Sequence, residues 1–485
     1  MRTLLSLSAF IVIAAAAPLP ALAADAELSQ LRAEIDALKS DYDARVAALE
    51  KRIAELESAQ DAAASLAAAP PPAAATPPAS APPPAAPEYP APLPPPVASA
   101  GKGGLAAFNP AMSVILAGNY ANLSEDPETY SIAGFIPSGG EVGPGERSFN
   151  LGESELTFSA NVDPYFYANA TAAIDSEGEI GIEEAYFKTL ALPAGLLLKG
   201  GRFFSGVGYL NEVHAHAWDF IDQPLVYQAF FGGQFGEDGL QLKWLAPTAL
   251  FVELGAEAGN GGEFPGTRRD RNGMNSFAAL AHIGSDIGDS TSWRAGISWL
   301  STHAEDRSYE DVDHLGLPVE NAFTGRSRTW IADATLKWSP QGNSSRRSLK
   351  VQGEYMQREE EGDLAFDISG LGLTGDYDNR QSGWYLQSVY QFIPRWRIGA
   401  RYDALDADSA HIGLVESGTL SPDDFPILLD ASPSRFSLML DWSPSEFSRM
   451  RAQYAWDEAR TGDVQDDQFL LQYLYSIGAH GAHKF

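Results

Sequence analysis

Between residues 105 and 485 the hydrophobic positions recur at every second residue in one short segment after another. Clear runs are Leu156, Phe158, Ala160 and Val162; Phe166, Ala168, Ala170 and Ala172; Trp330, Ala332, Ala334, Leu336 and Trp338; Trp396, Ile398, Ala400 and Tyr402; and Phe436, Leu438, Leu440 and Trp442. The residues between them are mostly polar or small, as in Asp333, Thr335 and Lys337, with Ile331 an exception. A period of two gives a strand with one apolar face and one that tolerates water. Read this way, the segment holds sixteen strands, near 112–121, 149–162, 164–174, 180–190, 196–203, 239–246, 249–257, 275–284, 292–300, 328–338, 348–358, 382–392, 395–404, 434–442, 447–456 and 467–484.

The connections alternate. Short turns such as Val162-Asp163-Pro164, Leu192-Pro193-Ala194-Gly195 and Ile393-Pro394 are followed by long loops at 122–148, 204–238, 258–274, 301–327, 359–381 and 405–433, with shorter ones at 175–179 and 457–466. Tight turns on one side, long loops on the other and both ends on the tight side predict an all-β fold, a transmembrane antiparallel barrel of about sixteen strands in an outer membrane. The closing strand carries Phe469, Leu471, Tyr473, Tyr475 and Ile477 on one face, and the chain ends in Phe485. The expected domain is 105–485.

The first hundred residues break the pattern. Arg2, an apolar run from Leu4 to Ala17 and the small-residue Ala21-Leu22-Ala23 predict a removed signal peptide over 1–23. In 24–60, Leu28, Leu31, Ile35, Leu38 and Tyr42 are spaced by three and four, and Val46, Leu49, Ile53 and Leu56 resume after a stutter. A stripe this narrow cannot be buried by one helix, so the spacing predicts a coiled coil and hence an oligomer. Residues 61–104 are rich in Ala and Pro, with 14 of the 32 prolines between Pro70 and Pro96, which predicts an extended linker. The expected layout is a coil in the periplasm, within reach of peptidoglycan, tied to a barrel in outer-membrane lipid.

Composition narrows the functional classes. With 64 acidic against 33 basic side chains the formal charge is −31, so nucleic acid is not an expected partner. No cysteine is present, which excludes disulfides and thiolate chemistry. Of the 53 acids in 105–485, 38 fall in the eight loops expected to face outward, against 8 of 26 bases, so the excess belongs to one mouth of the barrel. No Gly-x-Ser-x-Gly elbow occurs, and the eight histidines form no recognisable nucleophile and base arrangement, so an enzyme is not expected.

The run Ile182-Glu183-Glu184-Ala185-Tyr186-Phe187-Lys188, followed by Leu192 to Phe203, resembles the fourth and fifth strands of bacterial porins, in particular the phosphate-selective group with an N-terminal coiled coil. The resemblance implies a homotrimer of barrels, each with its own channel. It also implies that the loop 204–238 folds into the lumen and narrows it. That loop is unusually apolar, with Tyr209, Trp218, Phe220, Leu225, Tyr227, Phe230 and Phe231, as a segment packed on a barrel wall should be.

The expected function is a water-filled diffusion channel for small polar solutes or ions. Its constriction is expected to set Glu212, Asp219 and Asp222, with His214 and His216, across a narrow gap from inward bases on the wall: Arg395, Arg397, Arg401 and Arg435, and also Lys243, Arg294, Lys337 and Lys350. No cofactor is expected, apart from a divalent cation held by His214 and His216 beside Glu212 and Asp219; His480 and His483 form a second pair. Two alternatives follow from the same residues: divalent-metal (zinc) uptake, and a structural tether between outer membrane and cell wall.

Overall fold

The computed structural model describes residues 110–478 apart from 139–141, 177, 269 and 463. The signal peptide, coiled coil and linker expectations, the C-terminal Phe485 and the His480/His483 pair lie outside the described residues.

Alternation of apolar and polar residues resolves into sixteen barrel strands: β1 (Ala111–Leu123), β2 (Ser148–Asn161), β3 (Phe166–Ile174), β4 (Ile180–Thr189), β5 (Leu196–Phe204), β6 (Gly236–Leu245), β7 (Phe251–Gly259), β8 (Ser276–Ile287), β9 (Thr291–Val312), β10 (Pro318–Trp338), β11 (Ser348–Phe366), β12 (Leu373–Ile393), β13 (Trp396–Ala407), β14 (Ser434–Ser445), β15 (Ser448–Glu458) and β16 (Asp466–Gly478). Each strand pairs antiparallel with the next, and β1 pairs with β16 from Ser113↔Gly478 to Leu123↔Gln468. The sheet therefore closes on itself and leaves no edge. A two-residue strand, His411–Ile412, pairs with β12 inside a loop.

All sixteen expected strands are present, but four are longer than expected. β9 to β12 run through most of 301–327 and 359–381, which were expected to be loops. The connections that remain there are 313–317 and 367–372. These strand ends rise on the long-loop side with exposed charges such as Glu310 and Glu359 alternating with the buried Tyr309 and Glu360, so period two persists although the outer face is no longer apolar. An inner lining replaces the membrane as the reason for alternation. Phe323, Leu364, Phe366 and Tyr377 pack there against Ile412, Leu414, Phe425 and Leu428 of the segment that follows β13.

Lower on the wall the polarity is inverted relative to a soluble protein. Trp330, Leu386, Ile398, Leu438, Leu440, Leu471 and Tyr473 are exposed on the outside, while Arg401, Asp403, Gln352, Ser437 and Gln453 are buried inside. Aromatic rows edge the apolar band: Tyr402↔Phe436↔Trp456 at one level and Trp396↔Trp442 at the other. Tyr402 and Trp396 are separated by roughly 20 Å of strand at 3.3 Å per residue. An exposed apolar belt this continuous is stable only in a non-aqueous surround, the arrangement of a barrel that spans a lipid bilayer.

Candidate functional site

The connection between β5 and β6, residues 205–235, turns inward and packs across the lumen. Of the apolar residues singled out in the sequence, Trp218, Leu225, Tyr227, Phe230 and Phe231 join Val207, Leu210 and Phe235 in an interior core with Ile331, Met356, Tyr385 and Leu405 of the wall, and Phe220 packs separately on Val389 and Met439. Within it, a two-turn helix α1 (Leu225–Phe231) is buried at every position and stops at Gly232, whose left-handed conformation lets its N–H donate to Gln228 and Tyr227 carbonyls. The wall caps α1 with charge of the right sign at each end. The carboxylate of Asp403 accepts from the Leu225 N–H at 3.0 Å, and Arg358 donates to the Ala229 and Phe230 carbonyls at 3.4 and 3.3 Å.

Polar anchors fix the remainder. Glu354 on β11 accepts from the backbone N–H of Tyr209 and Leu210 at 2.9 and 3.0 Å and from the hydroxyls of Tyr227 and Tyr385 at 2.9 and 2.6 Å. Gly208 has φ +68°, and a side chain there would run into the Glu354 carboxylate, so glycine permits both the turn and the close approach. Glu257 on β7 accepts from Ser205 Oγ and, at 2.8 Å, from the Gly206 N–H.

The expected acids and bases do meet, but not across a gap. Asp219 is paired with Lys350 at 3.1 Å and Arg397 at 2.8 Å, and Asp222 with Arg401 at 2.8 Å and Arg435 at 3.0 Å. Glu212 takes a bidentate bond from Lys243 at 2.9 and 3.1 Å. These charges are in direct contact, so they rivet the loop to the wall rather than face each other through water. Burial would raise the Asp222 carboxyl, but Arg401 and Arg435 outweigh it and hold it at about 2. Asp219 is likewise held below the ordinary carboxylate range, with Lys350 and Arg397 overcoming its burial. Arg395 departs from expectation altogether. It sits in the tight turn between β12 and β13 with φ +71°, is exposed, and donates to the Pro444 carbonyl at 2.7 Å, because the strand pattern ends before it rather than carrying it into the lumen. Arg294 and Lys350 flank the Tyr209 ring, at 5.3 and 5.0 Å from its centroid.

The histidines find other carboxylates than those expected. His214 lies 3.3 Å from Glu183, 3.4 Å from Glu155 and 3.1 Å from Glu184, while His216 lies 2.6 Å from Glu155. Glu212 and Asp219, their sequence neighbours, are instead occupied by lysine and arginine. The decisive feature is on β4, where Thr171 pairs with Glu184 but Ala172 pairs with Ile182, leaving Glu183 as the extra residue of a β-bulge. The bulge lets two consecutive glutamates serve one face. Two adjacent acids inside an otherwise alternating strand were a signal for this in the sequence.

Below this cluster the inward faces of β2 to β4 carry Thr157, Ser159, Tyr167, Asn169, Tyr186 and Lys188, all half-buried. They form one continuous face, paired Thr157↔Thr171, Ser159↔Asn169 and Asn169↔Tyr186, with the Lys188 ammonium 4.4 Å from the Tyr167 ring centre. The lumen is therefore lopsided: the loop's carboxylates pair with bases on β6, β11, β13 and β14, its histidines reach the glutamates of β2 and β4, and the polar strip continues from there along β2 to β4. A second segment missed as an inward element is 124–147. Its Ile132 and Phe135 join the interior core, and the Gly134 carbonyl accepts from Gln381 at 2.6 Å.

An uncharacterized protein of Aquifex aeolicus (strain VF5) is 32% identical over 355 residues, 70% of this chain and 71% of the relative. The chain belongs to that protein's family. No family model matches it. Among solved structures it is similar to OmpT of Vibrio cholerae in its trimer form (TM-score 0.47, 11% identity, 76% of this chain and 99% of that one), to the outer membrane channel DcaP of Acinetobacter baumannii (TM-score 0.46, 13% identity, 78% and 99%), and to an anion-selective porin from Comamonas acidovorans (TM-score 0.44, 10% identity, 76% and 99%).

Proposed function

We propose that the protein is an outer-membrane diffusion channel for small polar solutes or ions, narrowed by the loop 205–235. The observation that carries this reading is the lopsided lumen. The loop's ion pairs run to β6, β11, β13 and β14, while the β2–β4 wall below its histidines is lined by Thr157, Ser159, Tyr167, Asn169, Tyr186 and Lys188, hydroxyl, amide and ammonium groups that suit hydrated solutes. The acid-rich outer mouth would concentrate cations ahead of this strip, and the lysine beneath it would temper that preference. The distribution of charge does not favour a phosphate-selective pore, because the inward arginines of β13 and β14, Arg397, Arg401 and Arg435, are already paired with Asp219, Asp222, Asp403 and Asp441. A trimer with a periplasmic coil touching peptidoglycan belongs to the same proposal.

The test is reconstitution of the purified protein. Stepwise conductance in planar bilayers and swelling of liposomes by small sugars and amino acids are expected, with cross-linking giving a trimer. Absence of both conductance and swelling, in protein whose barrel is folded by its heat-modifiable migration, would overturn the channel reading.

A further inference from the structure

We propose that Glu155, Glu183 and His214 form a divalent-metal site, selective for zinc-like ions, that ties the inward loop to the β2–β4 wall. One ligand atom from each residue lies within 4.8 Å of the other two. His214 Nδ1 is 3.4 Å from Glu155 Oε2 and 3.3 Å from Glu183 Oε2. A tetrahedral zinc ion with bonds of about 2.0–2.1 Å has ligand-to-ligand edges of about 3.3–3.4 Å, so two of the three edges already have the length that an ion would impose.

The groups around these three atoms have the arrangement that orients metal ligands. The other ring nitrogen of His214 is 3.1 Å from Glu184 Oε2, which fixes the ring with Nε2–H donating to that carboxylate and leaves Nδ1 with its lone pair on the Glu155 and Glu183 side. Glu184 is itself held, since its Oε1 accepts from the Phe204 N–H at 3.3 Å. His216 Nδ1 donates to Glu155 Oε1 at 2.6 Å, which leaves Oε2 of the same carboxylate for the ion. Phe204 lies edge-on to the His214 ring with centroids 5.3 Å apart, and the two imidazoles stack at 5.9 Å. The bulge at Glu183 completes the set, since without it β4 would offer one inward carboxylate here instead of two.

Charge supplies the reason for a cation. Three carboxylates converge on two imidazoles, and the single Nδ1–H of a protonated His214 could serve only one of the two oxygens beside it. A divalent ion binds both at once. Three protein ligands leave a fourth position for water or a solute group.

The full-length protein without its signal peptide, purified in detergent and stripped with chelator, is titrated with Zn²⁺ alone by equilibrium dialysis. One tight site per chain is expected. Glu184→Gln should weaken it about 10–100-fold, as loss of a positioning partner does, and Glu183→Gln or His214→Gln should remove it, while Glu361→Gln on the outer surface leaves it unchanged. Wild type that binds no tight Zn²⁺, or Glu183→Gln that binds as tightly as wild type, would overturn the site. Cobalt provides a reading that needs no variant: the wild-type Co²⁺ complex should give the intense visible bands of four-coordination, and the weak bands of a six-coordinate ion would overturn it. Dialysis and spectra are read without conductance, so failure of this site and failure of the channel reading are distinguishable.

Discussion

Neutralising Asp219 should release the inward loop far more than neutralising Asp222, and the difference follows from the company each keeps. Asp219 and Asp441 stand against Lys350, Arg397, Arg449 and Arg451, a local charge of +2 that Asp219→Asn raises to +3. Asp222, Asp403 and Asp457 stand against Arg401 and Arg435, a local charge of −1 that Asp222→Asn brings to zero. Removing one partner of a buried pair costs about 3–5 kcal/mol when the other is left without compensation. For Asp219→Asn the lower end applies, about 3 kcal/mol, because the amide oxygen still accepts one bond; at 1.4 kcal/mol per decade this is roughly a hundredfold in the released population. For Asp222→Asn both arginines keep a carboxylate, and a loss of about 1 kcal/mol is expected, the worth of one hydrogen bond. The chain has no cysteine, so Ala217→Cys gives a single spin-label site in the loop. The label should be immobile in wild type, slightly mobilised by Asp222→Asn and strongly by Asp219→Asn. In a KCl gradient the reversal potential should move towards anions, further for Asp219→Asn. Equal effects of the two variants in both measurements, or a larger effect of Asp222→Asn, would refute the charge argument.

The same label reports acid sensitivity. Both carboxyls are depressed in the folded protein, so their contribution is complete above the ordinary carboxylate range near pH 4 and is lost as pH falls through their folded values, about 2 for Asp222. The loop should stay immobile at pH 4 and mobilise only below about pH 3, as followed by spin-label line shape. Glu354→Leu strands four buried donors, each at about 1–3 kcal/mol before relaxation, and should lower the thermal midpoint and admit protease to residues 205–235. Deleting residues 25–100 should leave single-channel conductance intact while abolishing co-sedimentation with peptidoglycan, which separates pore from tether.

Period-two alternation was sufficient to locate all sixteen strands because each strand divides two unlike media, lipid and lumen, and that division is written residue by residue. It failed where the outer medium changes to water: in β9 to β12 the exposed positions turn acidic, and Glu310, Glu359 and Glu361 read as loop although the inner face stays ordered. The inward loop was legible from its apolar content, since Trp218, Phe220 and Phe230 have no place on a solvated connection. The partners of its charges were not. Asp219 and Arg397 are 178 residues apart, and their contact depends on the barrel closing and the loop folding across it, which no local pattern encodes.

The histidine cluster shows where the boundary falls. His214 and His216 were visible as a pair, and their nearest acids along the chain were Glu212 and Asp219. Those two acids are drawn to bases on β6, β11 and β13, Lys243, Lys350 and Arg397, because a carboxylate buried between loop and wall gains most from a full positive charge. The imidazoles, lacking an obligatory charge, are left to the β2–β4 side, where Glu155, Glu183 and Glu184 converge and Lys199 acts on Glu184. The two faces of one loop thus sort by chemistry: acids to the basic wall, imidazoles to the acidic one. A cation bound at the second face would complete the symmetry, holding the loop by metal on one side as ion pairs hold it on the other.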